Sequence, residues 1–420
     1  MYRISRHQNG LTVATAELPH MASISLGIWV AVGGRFEKAA DCGVSHFIEH
    51  LLFKGTPTRT AKQISQDVEG IGGYLNAFTT EEHTCYFAKA CSNRVSELLE
   101  VLTDMYLNST FAEVEIEKER NVIKEELAMY LDQPQHLVQE ILNQGLWPEH
   151  PLGRPLTGTN ETLDQLTRPK IVDYQHKHYV THGTLIAAAG NIDHEKFVKR
   201  VSRFAPQFKP GERACFSPVE KIHKKPSFKL YTKSVEQSQL SIGYRTCSRH
   251  DPRRFALRIL NTMLGENMSS RLFQVVREDH GLAYSICSSL AFFDDAGCLT
   301  ISAGVETDKL QEATRLIFKE IRNFTRTTPE VTEIRRARDY LIGQMDLSLE
   351  NSESQMMWVG EYLVGHGEII HPSEIKRALL KVTPADVKAA ATEFFQPTRL
   401  SMALVSDIRS DPKLLRFARL

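Results

Sequence analysis

The chain has 420 residues with 51 basic and 51 acidic side chains, so no net field draws it to nucleic acid or to an anionic membrane surface. Hydrophobic residues make up 42% and charged residues 24%, which excludes a disordered chain; a length of this order predicts two domains of roughly 200 residues each. The longest apolar runs, such as Ser23 to Val32, are strand-length and fall short of the ~20 residues of a membrane span, so no transmembrane helix is expected.

In chain order, Leu11 to Glu17 and Ser23 to Val32 read as the two strands of an opening hairpin that ends at Gly33-Gly34. Helices follow at about Val44 to Phe53 and Ala61 to Ile71, the second stopped by Gly72-Gly73. Tyr74 to Ala88 alternates as a strand, Val95 to Asn108 is an amphipathic helix, and Ala112 to Tyr130 is a long charged helix that closes before Pro134. A helix to about Gly145, another near Pro169 to Tyr179, the strand Thr184 to Gly190 and a helix from Glu195 complete the first half. Between Pro206 and Ser227 four prolines and a surplus of lysine mark a linker. After it the pattern recurs, with strand Ser238 to Tyr244, helices Arg254 to Leu264 and Ser269 to Glu278, strands Ala283 to Phe293 and Cys298 to Val305, and helix Asp308 to Phe324. A loose internal duplication accounts for this recurrence. The reading is an α+β protein with an N-terminal domain over residues 1–212, a linker over 213–227 and a related C-terminal domain over 228–420.

No basic-then-apolar leader precedes the first strand, so a cytoplasmic protein, or an already processed chain, is expected. Seven scattered cysteines (Cys42, Cys85, Cys91, Cys215, Cys247, Cys287, Cys298) form no C-x-x-C pair, which argues against a disulfide framework and against a thiolate metal site.

The first predicted helix carries the chemistry. His46 and His50 stand four residues apart, on one face and within reach of a single ion, and Glu49 sits three residues after His46 on nearly the same side. This is H-x-x-E-H, in which the glutamate takes a proton from water instead of binding metal. The neighbours Phe47, Ile48, Leu51, Leu52 and Phe53 are apolar, so two imidazoles and a carboxylate here are costly unless metal or hydrogen bonds satisfy them. Catalytic zinc usually takes three protein ligands and leaves the fourth position to water, and carboxylate is the usual complement to two histidines. The charged helix supplies candidates: Glu119 and Glu126, seven apart, share a face with Val122 and Ile123 between them, whereas Glu125 points about 100° away. Spacing alone leaves Glu125 and Glu126 both open as the third ligand, and offers Glu119 as the carboxylate that orients a ligand histidine through its other ring nitrogen.

These residues resemble the inverted-zincin M16 peptidases, above all the short members, which are single chains of two related domains, and the resemblance spans nearly the whole chain. It implies that the third ligand is Glu126, seven residues after the glutamate-arginine pair Glu119-Arg120. It also implies one zinc per chain, Glu49 as general base, and hydrolysis of peptide bonds in extended peptides or unfolded segments. Each domain would be a mostly antiparallel sheet covered by helices, and the chain would pair as a homodimer around a chamber. Gly72 to Thr79 resembles the family's edge strand, where Asn76 and Ala77 would pair with substrate as an added strand. Ser270 to Ser285 resembles its substrate-clamping segment, with Arg277 holding a peptide carbonyl and Tyr284 donating to the tetrahedral oxyanion. One departure stands out: the acidic pair that goes with recognition of arginine near the cut falls on His136 and Glu140, so a basic preference is not expected. The rival readings are a non-catalytic or partner-dependent subunit with an assembly role, and a metal-dependent hydrolase of non-peptide esters or amides. The full set of ligands, base and Arg/Tyr pair weighs against the first.

Overall fold

The computed structural model describes residues 2–219, 225–410 and 412–418, so residues 220–224 of the expected linker lie outside the described residues. The chain divides into two compact units. The first holds Met1–Ala128, Arg154–Ser217 and Asp346–Ile370, and the second holds Met129–Gly153, Pro218–Met345 and His371–Leu420.

In the first unit β1 (Tyr2–Arg6), β2 (Thr12–Glu17), β3 (Ser23–Val30), β4 (Tyr74–Thr79), β5 (Thr84–Cys91) and β6 (Thr184–Gly190) form one sheet in the order β1-β2-β6-β3-β5-β4. Only β2 and β6 run parallel; every other pair is antiparallel. In the second unit β7 (Ser227–Thr232), β8 (Ser238–Thr246), β9 (Ala283–Phe292), β10 (Gly297–Val305) and β11 (Leu400–Ser406) give the order β7-β11-β8-β10-β9, with β7 and β11 parallel. Leaving out β1, the two sheets have one topology: β7, β8, β9, β10 and β11 occupy the places of β2, β3, β4, β5 and β6. Two related α+β domains, each a mixed and mostly antiparallel sheet flanked by helices, are therefore present, as the recurring sequence pattern implied.

Period-two alternation explains how β3 is buried on both faces. Ile24, Leu26, Ile28 and Val30 join the core formed with Phe47, Ile48, Leu98 and Leu102, whereas Trp29 and Ala31 join Met356, Val359 and Leu363 on the other side. That second face is covered by the helix Ser352–His366, which packs on β2, β3 and β6 although it comes from the far half of the sequence. The second unit makes the reciprocal arrangement, because the helix Pro134–Leu146 packs on β8 and β11. At the centre of the first of these contacts Trp29 Nε1 donates to Met356 Sδ at 3.4 Å, and a Cβ placed on Gly360 would meet the Trp29 ring at 2.0 Å. Gly360→Ala gains about 1 kcal/mol of helix propensity but overpacks a fully buried ring, a cost of about 1–3 kcal/mol or more. A lower Tm than wild type in thermal unfolding is the expected result; an unchanged or higher one would show that the helix shifts freely.

Several sequence expectations change. The hairpin of Leu11 to Glu17 with Ser23 to Val32 is not formed: β6 inserts between β2 and β3, and the hairpin partner of β2 is β1, which the alternation did not single out. Tyr74 to Ala88 is two strands, because Thr80 N donates to His83 O at 2.8 Å and closes a turn between β4 and β5. Beyond Phe324, the end of the last element expected from the sequence, lie the helices Val331–Ser348, Ser352–His366, Pro372–Lys381 and Pro384–Phe394 and the strand β11. All seven cysteines are free, and among the described residues no helix is long and apolar enough to cross a membrane.

Candidate metal centre

The helix Val44–Leu51 presents the histidine pair because its apolar residues face inward: Phe47, Ile48 and Leu51 are buried in the first core. Its start is fixed by Glu37, whose two carboxylate oxygens accept from Gly43 N at 2.7 Å and Ser45 N at 2.8 Å. Gly43 itself is left-handed, φ +93°, and a Cβ there would meet Thr157 O at 2.7 Å, so only glycine fits. Burial pushes the Glu37 carboxyl up from 4.5 to about 7, against the lowering pull of the Ser45 and Gly43 bonds and of Arg154. With the folded value above the unfolded one, the stability linked to Glu37 is full below about pH 4.5 and lost as pH rises through about 7. Against Glu37→Gln, which does not titrate, wild type should lose relative stability between about pH 5 and about pH 8. A difference in Tm that stays constant over that range would refute the linkage.

The second contributing element is the helix Glu113–Asp132, held inward by Ile116, Ile123 and Leu127. Glu119 is buried, Glu126 is half-buried beside the histidines, and Glu125 is exposed. The Nε2 atoms of His46 and His50 each lie 3.7 Å from Glu126 Oε2, with the two imidazole centroids 4.7 Å apart. One donor atom from each of the three residues falls within 4.8 Å of the other two. At 3.7 Å these contacts are too long for hydrogen bonds, yet they are close to the separation of about 3.4 Å between two ligands of a tetrahedral ion bound at about 2.1 Å. Burial, and then the neighbouring His50, push the His46 imidazole down to about 4, so at neutral pH it is an unprotonated donor. Three converging donors, two nitrogen and one carboxylate oxygen, fit zinc.

Around this triad the structure adds two supports. Glu119 Oε2 accepts from His50 Nδ1 at 3.1 Å, which leaves Nε2 of that ring facing Glu126. Thr79, at the end of β4, donates to Glu49 Oε2 at 2.5 Å and holds that carboxylate in place. Burial raises the Glu49 carboxyl above the usual carboxylate range, opposed by the Thr79 bond and by His50. Neither Thr79 nor Lys54, which also contacts Glu119, stood out in the sequence. A threonine ending a strand and a lysine just past a helix carry no signal until the fold sets them beside residues 30 and 65 positions away.

The remaining predicted residues fall in two places. Asn76 and Ala77 lie on β4, which is the edge of the first sheet, and Asn76 Oδ1 accepts from Ala77 N at 2.8 Å. Arg277 and Tyr284 belong to the second unit. There the Arg277 guanidinium stacks 4.6 Å from the Phe273 ring centroid, and Tyr284, on the edge strand β9, is 76% exposed.

Residues 12–160 match the family described as Insulinase (Peptidase family M16), and residues 165–341 match the Peptidase M16 inactive domain. A Bacillus subtilis protein named as an uncharacterized zinc protease is 35% identical over 95% of this chain and 97% of its own length. A Mycobacterium bovis protein with the same description is 36% identical over 91% of this chain and 88% of its own. Among solved structures, a protease from Helicobacter pylori superposes with a TM-score of 0.91 at 20% identity, covering 97% of this chain and 99% of that one. A peptidase M16 inactive domain from Pseudomonas fluorescens gives 0.90 at 16% identity, covering 98% and 99%; at such identities both speak for the fold. With near-full-length relatives above 30% identity and the H-x-x-E-H triad inside the first matched region, the chain belongs to the insulinase family, peptidase family M16.

Proposed function

We propose that this protein is a zinc-dependent endopeptidase that binds peptides or unfolded segments in extended form, with His46, His50 and Glu126 as the metal ligands and Glu49 as the general base. The observation that carries the reading is the convergence of those three donors on one point beside a carboxylate that Thr79 holds. When bound, one zinc per chain would supply Lewis-acid polarisation of the scissile carbonyl and acidify water at the site.

Each further task falls to the chain itself. Glu49 takes the proton of the attacking water and later gives it to the leaving amine; its upward shift brings it closer to the value that suits both jobs near neutral pH. Glu119 fixes the tautomer of His50. Among the described residues no strand pairs with the outer edge of β4, which can accept an extended peptide as a further strand, main chain to main chain, with Asn76 and Ala77 at the pairing positions. From the resemblance come the roles of Arg277, holding a substrate carbonyl, and of Tyr284, donating to the oxyanion. Among the described residues the second unit holds no comparable cluster of metal donors, which suits a division between a metal-carrying and a substrate-holding domain. Pairing as a homodimer rests on the resemblance, and sedimentation of the protein expressed alone tests it.

The deciding experiment measures zinc content together with cleavage of a quenched peptide library. About one zinc per chain with cleavage supports the reading. Stoichiometric zinc without cleavage would instead favour a subunit that needs a different partner.

A further inference from the structure

Lys54 lies just past the histidine helix, one turn beyond His50, where its backbone N donates to Leu51 O at 3.1 Å. From there its ammonium crosses to the other ligand-bearing helix and meets Glu119 Oε1 at 2.7 Å. The second oxygen of the same carboxylate is the one that accepts from His50 Nδ1. The Glu119 side chain is only 6% exposed, and these two partners engage its two oxygens. Arg120, its sequence neighbour, is turned away to Glu117 and to the carbonyl oxygens of Leu163 and Leu166. The two imidazoles are also unequal: His46 Nδ1 is buried without a hydrogen-bond partner among the described residues, so the only braced ring is that of His50.

We infer that Lys54 is a positioning residue of the metal centre: it fixes the Glu119 carboxylate across the two helices, and through Glu119 it sets which nitrogen His50 offers to the ion. The inference rests on the zinc-site reading above. With Lys54 present, Oε1 is engaged and Oε2 is left for the imidazole. Without it, a buried carboxylate keeps one partner, can turn in its pocket, and no longer ties the His50 segment to the helix that carries Glu126. A lysine that merely stabilised the fold would change Tm and leave metal affinity alone.

The test is zinc affinity, measured by chelator competition on the full chain, for wild type, Lys54→Met, Lys54→Arg, Glu119→Gln and the double variant Lys54→Met/Glu119→Gln. Outer partners of metal-binding histidines are worth about 10–100-fold in affinity, so Lys54→Met should weaken zinc binding about tenfold or more. Lys54→Arg should recover most of the loss, and the double variant should bind about as weakly as Glu119→Gln alone, because both changes act on one carboxylate. Lys54→Gln serves the same comparison if the methionine variant does not fold. Wild-type affinity in Lys54→Met or Lys54→Gln, or losses that multiply in the double variant, would overturn the role of Lys54 while leaving the zinc site intact. A wild-type chain that takes up no zinc would overturn the site itself and this inference with it.

Discussion

Glu49→Gln should keep its zinc and lose hydrolysis by about 10²–10⁴-fold, the contribution usual for a positioned general base. The substitution is close to isosteric, and the glutamine carbonyl oxygen can still accept from the Thr79 hydroxyl, so the local geometry survives. What it removes is the ability to take a proton. In wild type the same group should set the acid limb of activity. Burial raises its carboxyl, and the base works only when ionised, so kcat/KM should fall as pH drops through a value above the ordinary 4.5. Cleavage of a quenched peptide library and zinc content, measured on one preparation, check both halves. A variant as active as wild type would remove Glu49 from the mechanism.

His46→Ala should lose the metal as well as the activity, which separates it from the Glu49 variant. It takes away one of three donors, and two fall short of the three protein ligands that a catalytic zinc takes. Zinc content after dialysis against a mild chelator should fall close to zero, with cleavage at background. A second reading comes from stability. A ligand that binds only the folded chain stabilises it by about 2.7 kcal/mol when present at 100 times its Kd, so chelation should lower the Tm of wild type. The His46→Ala variant should show no such response. Full zinc in that variant would mean that the ion sits elsewhere.

What the sequence made legible follows the range of the interactions involved. The histidine pair and the face shared by Glu119 and Glu126 are set by helical spacing within one element, and both stand on helices in the structure. The recurrence after the linker was visible for the same reason, since each strand and helix carries its own periodicity. Pairing was not visible. Whether β2 lies beside β3 or beside β6 depends on a strand about 170 residues downstream, and β2 has the same local pattern in both cases. In the helix Ser352–His366 the buried stripe of Met356, Val359 and Leu363 is blurred by Trp358 and Tyr362 on another side, so no clear amphipathic period announces it. Lys54 and Thr79 illustrate the same limit at the site, where each acts on a residue that only the tertiary fold brings near.

The borrowed helix also imposes an order of events on the growing chain. The proposed metal ligands are complete once residue 126 has been made, and the last strand of the first sheet, β6, once residue 190 has been made. The cover over Trp29 then waits for residues 352–366, about 180 residues later. At translation rates of about 5–20 residues per second that delay lasts roughly 10–35 s. Through that interval one face of the sheet, with Trp29, Phe87 and the small residues of β6, stays open to water, a surface for chaperones to shield and for proteases to probe.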